Sequence, residues 1–332
     1  MTDVNPAFYS NTLHGTWKGR NDGGDPAVQR WHQRISTVNL MEELIPVAPA
    51  GRKSVALIGF ACDEGVMRNG GRIGAKDGPL CFRQACGNLP VHFDDDMLLI
   101  DLGDIICETE AMEEAQAELA NLVELALYYG YQPLVIGGGH EVTYGHYTGI
   151  SKHVEEKDTI GIINFDAHFD LRNPGDGLAN SGTGFFEIAK DCRADHKVFK
   201  YLAIGIQQNS NTRLLYKTAE ELGAVYIPAG HFSVTHAPEV LSIIENFIRE
   251  STYVYLTIDL DVFASSAAPG VSAPAYSGLF PDPFFFKCLQ LITSSKKVIS
   301  MDIAEYNPLY DPEHVTAKLA AALAFHMISD QI

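Results

Sequence analysis

The sequence predicts an α/β fold, a three-layer αβα arrangement around a doubly wound, mostly parallel sheet. Three observations carry this. From residue 54 onward, short β-rich apolar runs alternate with segments of helical period. Most of these runs are apolar throughout, which is how strands covered by helices on both faces read. No internal repeat, linker or low-complexity stretch divides the chain. Its 332 residues are therefore read as a single domain, larger than the usual ~100–200 residues. Residues 1–50 form an N-terminal extension packed on it.

Taken in order, the extension is irregular except for a short helix expected near AVQRWHQRIS. Its opening is polar and lacks the apolar segment of a signal peptide. Strands are expected at SVALIGF (54–60), QPLVIGG (132–138), TIGIINF (159–165), KYLAIGI (200–206), AVYIPA (224–229), TYVYLTI (252–258) and KVISMDI (297–303). Helices are expected over 109–130, 237–250 and 312–328, the last lying on the sheet. The stretch DDDMLLIDLGD (94–104) is read only as scaffold.

Composition narrows the function. Hydrophobic residues at 46% and charged residues at 20% supply a sizeable core and exclude wholesale disorder. A net charge of −18 repels nucleic acid and anionic membrane surfaces, and no run approaches the ~18 apolar residues of a membrane span. A small molecule is the expected partner. The six cysteines include no C-x-x-C pair, so they are expected as reduced thiols in a cytoplasmic protein.

In such sheets, ligands sit beyond the carboxyl ends of the strands. Four runs end there in acids or histidines: GGGHE with His140, DAHFD with Asp166, His168 and Asp170, DLDVF with Asp259 and Asp261, and DIAEYNP with Asp302 and Glu305. In an extended strand, residues two apart share a face, so Asp166, His168 and Asp170 are expected to point one way, as are Asp259 and Asp261. Each piece has a bland reading: a surface turn, a common strand ending, a core histidine. Together they point to a metal site, because carboxylates so close repel unless a cation sits among them. The set could hold one ion or, with bridging carboxylates, two. Oxygen-rich ligands with two imidazoles and no thiol suit Mn²⁺ and disfavour a structural zinc. Two ions sharing a water lower its pKa and yield a hydroxide at neutral pH. The glycines of GGGH lack the spacing of a phosphate loop and are read as permitting close backbone approach.

GGGHE, NFDAHFD, TIDLDVFASSAAPG and MDIAEYNP resemble, in order and spacing, the ureohydrolase superfamily of arginases, agmatinases and formimidoylglutamases, over roughly residues 54 to 330. The resemblance implies an arginase-like fold and two Mn²⁺ per subunit. His140, Asp166, Asp170 and Asp259 would hold one ion, and Asp166, His168, Asp259 and Asp261 the other, with Asp166 and Asp259 bridging. Glu305 would hold the cationic amidine or guanidine group, and Asp170 would relay a proton. Relatives in the superfamily are often trimers or hexamers, which leaves a homo-oligomer open.

The departures are informative. Arginases and agmatinases usually read G-G-D-H where this chain has Gly137-Gly138-Gly139-His140. Their loop after the D-x-H-x-D run carries a histidine thought to shuttle protons. Here the loop over 171–188 has none, and Phe185 falls near that position. In both respects the chain looks like the formimidoylglutamase branch, which cleaves N-formimidoyl-L-glutamate to L-glutamate and formamide in histidine degradation. Arg172 stands where arginase has an asparagine facing the amino-acid end of its substrate. An arginine fork there suits a dicarboxylate, unless it only neutralises the acid cluster. Ser181 is a second candidate carboxylate ligand, and Arg68 and Arg72 on the GVMRNGGRIGAKDGP loop could complete an anion pocket or serve the loop alone. The rival readings are a ureohydrolase for a guanidino acid or agmatine, a one-zinc amide deacetylase, and a non-catalytic metal protein.

Overall fold

Side chains that alternate between two hydrophobic cores build the molecule, seen here in a computed structural model that describes all residues but 1–3, 95, 109, 176 and 330–332. Among the described residues the strands are β1 Tyr9–Ser10, β2 Ser36–Thr37, β3 Val55–Ala61, β4 Leu99–Ile106, β5 Gln132–Gly137, β6 Ile160–Phe165, β7 Lys200–Ile206, β8 Val225–Pro228, β9 Tyr253–Asp259 and β10 Val298–Ala304. They form one sheet in the order β1-β4-β3-β5-β10-β9-β6-β7-β8, with β2 also on β4. Among the described strands, only β1 runs antiparallel to its neighbour.

The helices are α1 Trp31–Arg34, α2 Glu64–Arg68, α3 Gly78–Cys86, α4 Met112–Tyr128, α5 Val142–His153, α6 Gly184–Ala194, α7 Arg213–Glu221, α8 Ala237–Arg249, α9 Pro283–Thr293 and α10 Val315–Ser329. Leu57, Leu134, Ile163, Leu256 and Met301 face the core shared with α3, α8, α9 and α10. Ile58, Val135, Ile162 and Tyr255 face the opposite core, shared with α4 to α7. This period-2 alternation, apolar on both sides, is why the strands read as unbroken apolar runs.

All seven expected strands form, and the three expected helices are α4, α8 and α10 with shifted ends. The expected start of α4, Thr109, lies outside the described residues. The short helix expected near 27–36 is a one-turn helix at Pro26–Val28 followed by α1.

The strand β4 is hidden in the sequence because Asp101, Gly103 and Asp104 interrupt its apolar run. Those acids serve Arg83, a fully buried guanidinium on α3. Arg83 Nε and Nη2 donate to the two oxygens of Asp101 at 2.8 and 2.9 Å, and Nη1 donates to Asp104 at 2.6 Å. Asp101 also accepts from Thr12 Oγ1 and Trp17 Nε1, tying the N-terminal extension to the sheet. The helix α5 is hidden by its glycines, which lower helix propensity. A Cβ at Gly145 or Gly149 would lie 2.6 Å from a backbone oxygen of α4, so both allow α4 and α5 to pack closely.

All six cysteines are free. No described helix is long and apolar enough to cross a membrane.

Candidate metal centre

The strands β5, β10, β9 and β6 are adjacent, so residues leaving their carboxyl ends converge. They do so by turning rather than by continuing as strands, which corrects the expectation that Asp166, His168 and Asp170 share a strand face. The strand β6 stops at Phe165. Asp166 Oδ1 then accepts the backbone N–H of His168 at 2.6 Å, and Asp170 adopts a left-handed φ of 48°. Asp259 Oδ1 likewise accepts the N–H of Asp261 at 2.7 Å, which opens a short turn at Leu260–Val262. An aspartate that bonds the backbone two residues on offers the chain an alternative to the strand ladder. In both motifs the first aspartate is therefore part of the turn.

The result brings all six expected ligands together. His140 Nδ1 lies 2.9 Å from Asp170 Oδ2 and 3.2 Å from an oxygen of Asp166 and of Asp259. His168 Nδ1 lies 3.0 Å from Asp261 and 3.5 Å from Asp166. Two groups result, His140–Asp166–Asp170–Asp259 and Asp166–His168–Asp261, each with ligand atoms within 4.8 Å of one another. Asp166 is common to both. Asp259 falls in the first group, with its Oδ1 accepting the Asp261 N–H just as Asp166 Oδ1 accepts that of His168.

The donor set fits divalent cations. Four carboxylates converge here, and Oδ1 of Asp261 is buried with no protein partner. Burial and the charges of Asp261 and Asp166 push Asp259 well above the usual carboxylate range. Burial opposes charge on His140 too, yet its bonds to Asp166 and Asp170 hold it well above the usual imidazole value. Both shifts express the crowding of like charge at this point, which a divalent cation would relieve. His140 Nε2 meets Thr257 Oγ1 at 3.0 Å, leaving Nδ1 for an ion, as is usual for a ligating histidine. Asn164 Nδ2 donates to Asp166 Oδ2 at 3.0 Å. Asn164 and Thr257 each sit two residues before a ligand, Asp166 and Asp259, a spacing from which they could have been found.

Glu305 closes the floor. Its φ of 66° is left-handed, a costly state for a non-glycine residue. Its N–H donates to Gly138 O at 2.8 Å, and its Oε1 accepts the His140 N–H at 3.0 Å. Oε2 is buried without a protein partner. Burial, then Glu141 and Asp261, raise its pKa to about 8. Gly138 permits this joint, since a Cβ there would sit 1.6 Å from Cys62 O. Asp302, by contrast, leaves the centre and pairs with His146 at 2.7 Å in the core under α5.

Above the floor opens a cleft of ≈ 320 Å³, a size for a metabolite rather than a polymer. Arg172, Ser181, Arg72 and Asn69 line it. Arg172 is exposed at its rim and donates to Asn69 Oδ1. Ser181 is buried and accepts from Asn69 Nδ2 at 3.0 Å. Arg72 lines the cleft, but its Nε and Nη2 bond the carbonyls of Ser272 and Val271, and its guanidinium stacks 4.1 Å above the Tyr310 ring. Arg68 is no part of an anion pocket, being paired with Glu64 and Glu113. Phe185 is fully buried in α6 and packs edge-on against His140, at 5.5 Å, rather than lining the cleft.

The arginase family model matches residues 53–329. A formimidoylglutamase of Clostridium tetani is 42% identical over 317 residues, 94% of this chain and 93% of that protein. The formimidoylglutamase of Aeromonas salmonicida is 39% identical over 323 residues, covering 96% and 98%. Among solved structures, the formiminoglutamase of Trypanosoma cruzi with Mn²⁺ superposes with a TM-score of 0.73 at 28% identity, over 86% of this chain and 96% of that one.

Proposed function

The chain belongs to the arginase family, and within that family we propose that it is a formimidoylglutamase, hydrolysing N-formimidoyl-L-glutamate to L-glutamate and formamide. The observation that carries this reading is the polarity of the cleft. Its floor is acidic and suits an amidinium, and its mouth presents Arg172 and Ser181 to carboxylates. Agmatine, cationic at both ends, would meet Arg172 with like charge.

In this reading His140, Asp166, Asp170 and Asp259 hold one Mn²⁺, and Asp166, His168 and Asp261, with Asp259 beside them, hold a second. When bound, the ions supply a water of lowered pKa and polarise the oxygen that adds to carbon. The protein supplies the rest. Glu305 lines the cleft, the bond from the His140 N–H to Oε1 fixes its orientation, and Oε2 is left without a protein partner, so it binds the amidinium. The Asp170 carboxylate accepts the proton of the attacking water and returns it to the departing nitrogen of glutamate. No histidine of the 171–188 loop takes part. Arg172 forks onto a substrate carboxylate, and the Ser181 hydroxyl donates beside it. A formimidoyl carbon bears one hydrogen where a guanidine bears a third nitrogen, so resonance damps its electrophilicity less.

The reading extends to the whole chain as one domain with residues 1–50 packed on it, working in the cytoplasm, which its unpaired thiols support. Metal dependence tests it. Equilibrium dialysis should find two Mn²⁺ per chain, and chelation should abolish formamide release from N-formimidoyl-L-glutamate until Mn²⁺ is restored. Full activity in metal-free protein would overturn it.

A further inference from the structure

We propose that Asn69 is a positioning residue for substrate specificity, holding Arg172 and Ser181 as one carboxylate-binding array. The inference deepens the formimidoylglutamase reading and rests on it for the identity of the ligand. Nothing in the sequence motifs points to Asn69, which lies between Arg68 at the end of α2 and Arg72 in the loop that follows.

The geometry is specific. Arg172 Nη1 donates to Asn69 Oδ1, and Asn69 Nδ2 donates to Ser181 Oγ at 3.0 Å. An amide can do both, accepting on its oxygen and donating from its nitrogen. Two consequences follow for a ligand. The guanidinium, exposed at the rim and carried on a flexible stem, is held in one orientation before substrate arrives. The Ser181 hydroxyl, having accepted from Asn69, keeps its own proton for a carboxylate.

Asn69 itself is rigidly placed. On one side Arg68 bonds Glu64 at 2.9 Å, Glu113 at 2.6 Å and the Ala179 carbonyl at 3.1 Å. On the other side Arg72 is bonded to the backbone at Val271 and Ser272. The loop bearing Arg172 and Ser181 is joined to the same frame, since Ser181 N donates to Gly65 O and Arg172 N to Gly182 O. Arg68 and Arg72 thus clamp the segment that carries the positioning amide. Ordering a long side chain before binding removes part of the entropic cost of binding.

The test is a double-mutant cycle on the Mn²⁺-loaded enzyme with Asn69→Ala, Arg172→Ala and the double variant. The substrates are N-formimidoyl-L-glutamate and its two monoamides, N-formimidoyl-L-glutamine and N-formimidoyl-L-isoglutamine. Asn69→Ala should raise KM for the parent substrate about fivefold to tenfold, the range for weakening one charge-assisted contact, with kcat within about twofold. The penalty should shrink to the smaller share carried by Ser181 in the Arg172→Ala background and vanish for the monoamide that lacks the recognised carboxylate. A penalty that adds in full to that of Arg172→Ala, falls on kcat alone, or is equal for all three substrates would overturn the proposal. Calorimetric titration of L-glutamate into the same variants separates the two readings. Glutamate binding weakened by Asn69→Ala, in a wild type that releases no formamide, sinks the proposed reaction but keeps the array. Absence of glutamate binding to wild type sinks the array.

Discussion

At the scale of single residues, the floor and the mouth of the cleft have separable roles. Glu305→Gln keeps the size of the side chain and its bond to the His140 N–H but removes the charge that meets the amidinium. It should lower kcat by roughly a hundredfold or more while Mn²⁺ stoichiometry is unchanged, as steady-state assays and metal analysis will show. Arg172→Ala should instead raise KM by about tenfold, discounted for its exposure, and leave kcat near wild type. Equal loss of kcat and metal in both variants would contradict the division of labour. Much of this site is legible in the amino-acid sequence. The six ligands each sit at the end of an apolar run, where carboxylates and imidazoles have no reason to cluster without a cation. What cannot be read there is how they converge. Asp166 and Asp259 end their strands by bonding the backbone two residues on, a local competition between side chain and ladder that leaves no mark in an apolar pattern. Asn69 is equally hidden, since its partners lie 103 and 112 residues away.

At the scale of elements, the strand–helix alternation is legible wherever a strand is apolar on both faces. It fails where charge is buried. The strand β4 carries Asp101 and Asp104 for a guanidinium that is 1% exposed, and a buried ion pair is invisible until its partner on α3 is known. Breaking such a pair leaves an uncompensated buried charge. Arg83→Met should therefore cost about 3–5 kcal/mol, read as a lower urea midpoint, and should loosen residues 12–17 in hydrogen exchange because Thr12 and Trp17 share Asp101. A variant as stable as wild type would show that the pair is dispensable. The joint between β3 and β5 makes a second prediction. Gly138→Ala forces a methyl against the Cys62 carbonyl, which, being backbone, cannot swing away. It should destabilise the protein by about 1–3 kcal/mol and weaken Mn²⁺ binding, because His140 is only two residues on.

At the scale of the whole molecule, the buried acids and histidines of the centre govern how metal, protons and stability are linked. In metal-free protein, Glu141 is raised to about 7 and Glu305 to about 8, mainly by burial, and Asp259, His140 and His168 also lie above their usual values. A group whose pKa is raised by folding holds its proton more tightly in the native state, so its contribution is present at low pH and lost as pH rises through the native value. Metal-free protein should accordingly lose Tm between about pH 5 and pH 8, whereas the Mn²⁺-loaded form should not, since metal competes better with protons as pH rises. Parallel curves with and without metal would contradict the linkage.

The central claim is that an acidic floor and a cationic mouth select an amidine that carries carboxylates. The most direct test is kcat/KM of the Mn²⁺-loaded protein for N-formimidoyl-L-glutamate, with 4-guanidinobutyrate, arginine and agmatine in parallel. The expected result is formamide and glutamate from the first and negligible urea from the others. Urea from any of them, with no formamide, would leave the fold and the metal ligands standing but contradict the assignment of Arg172 and of the histidine-free loop.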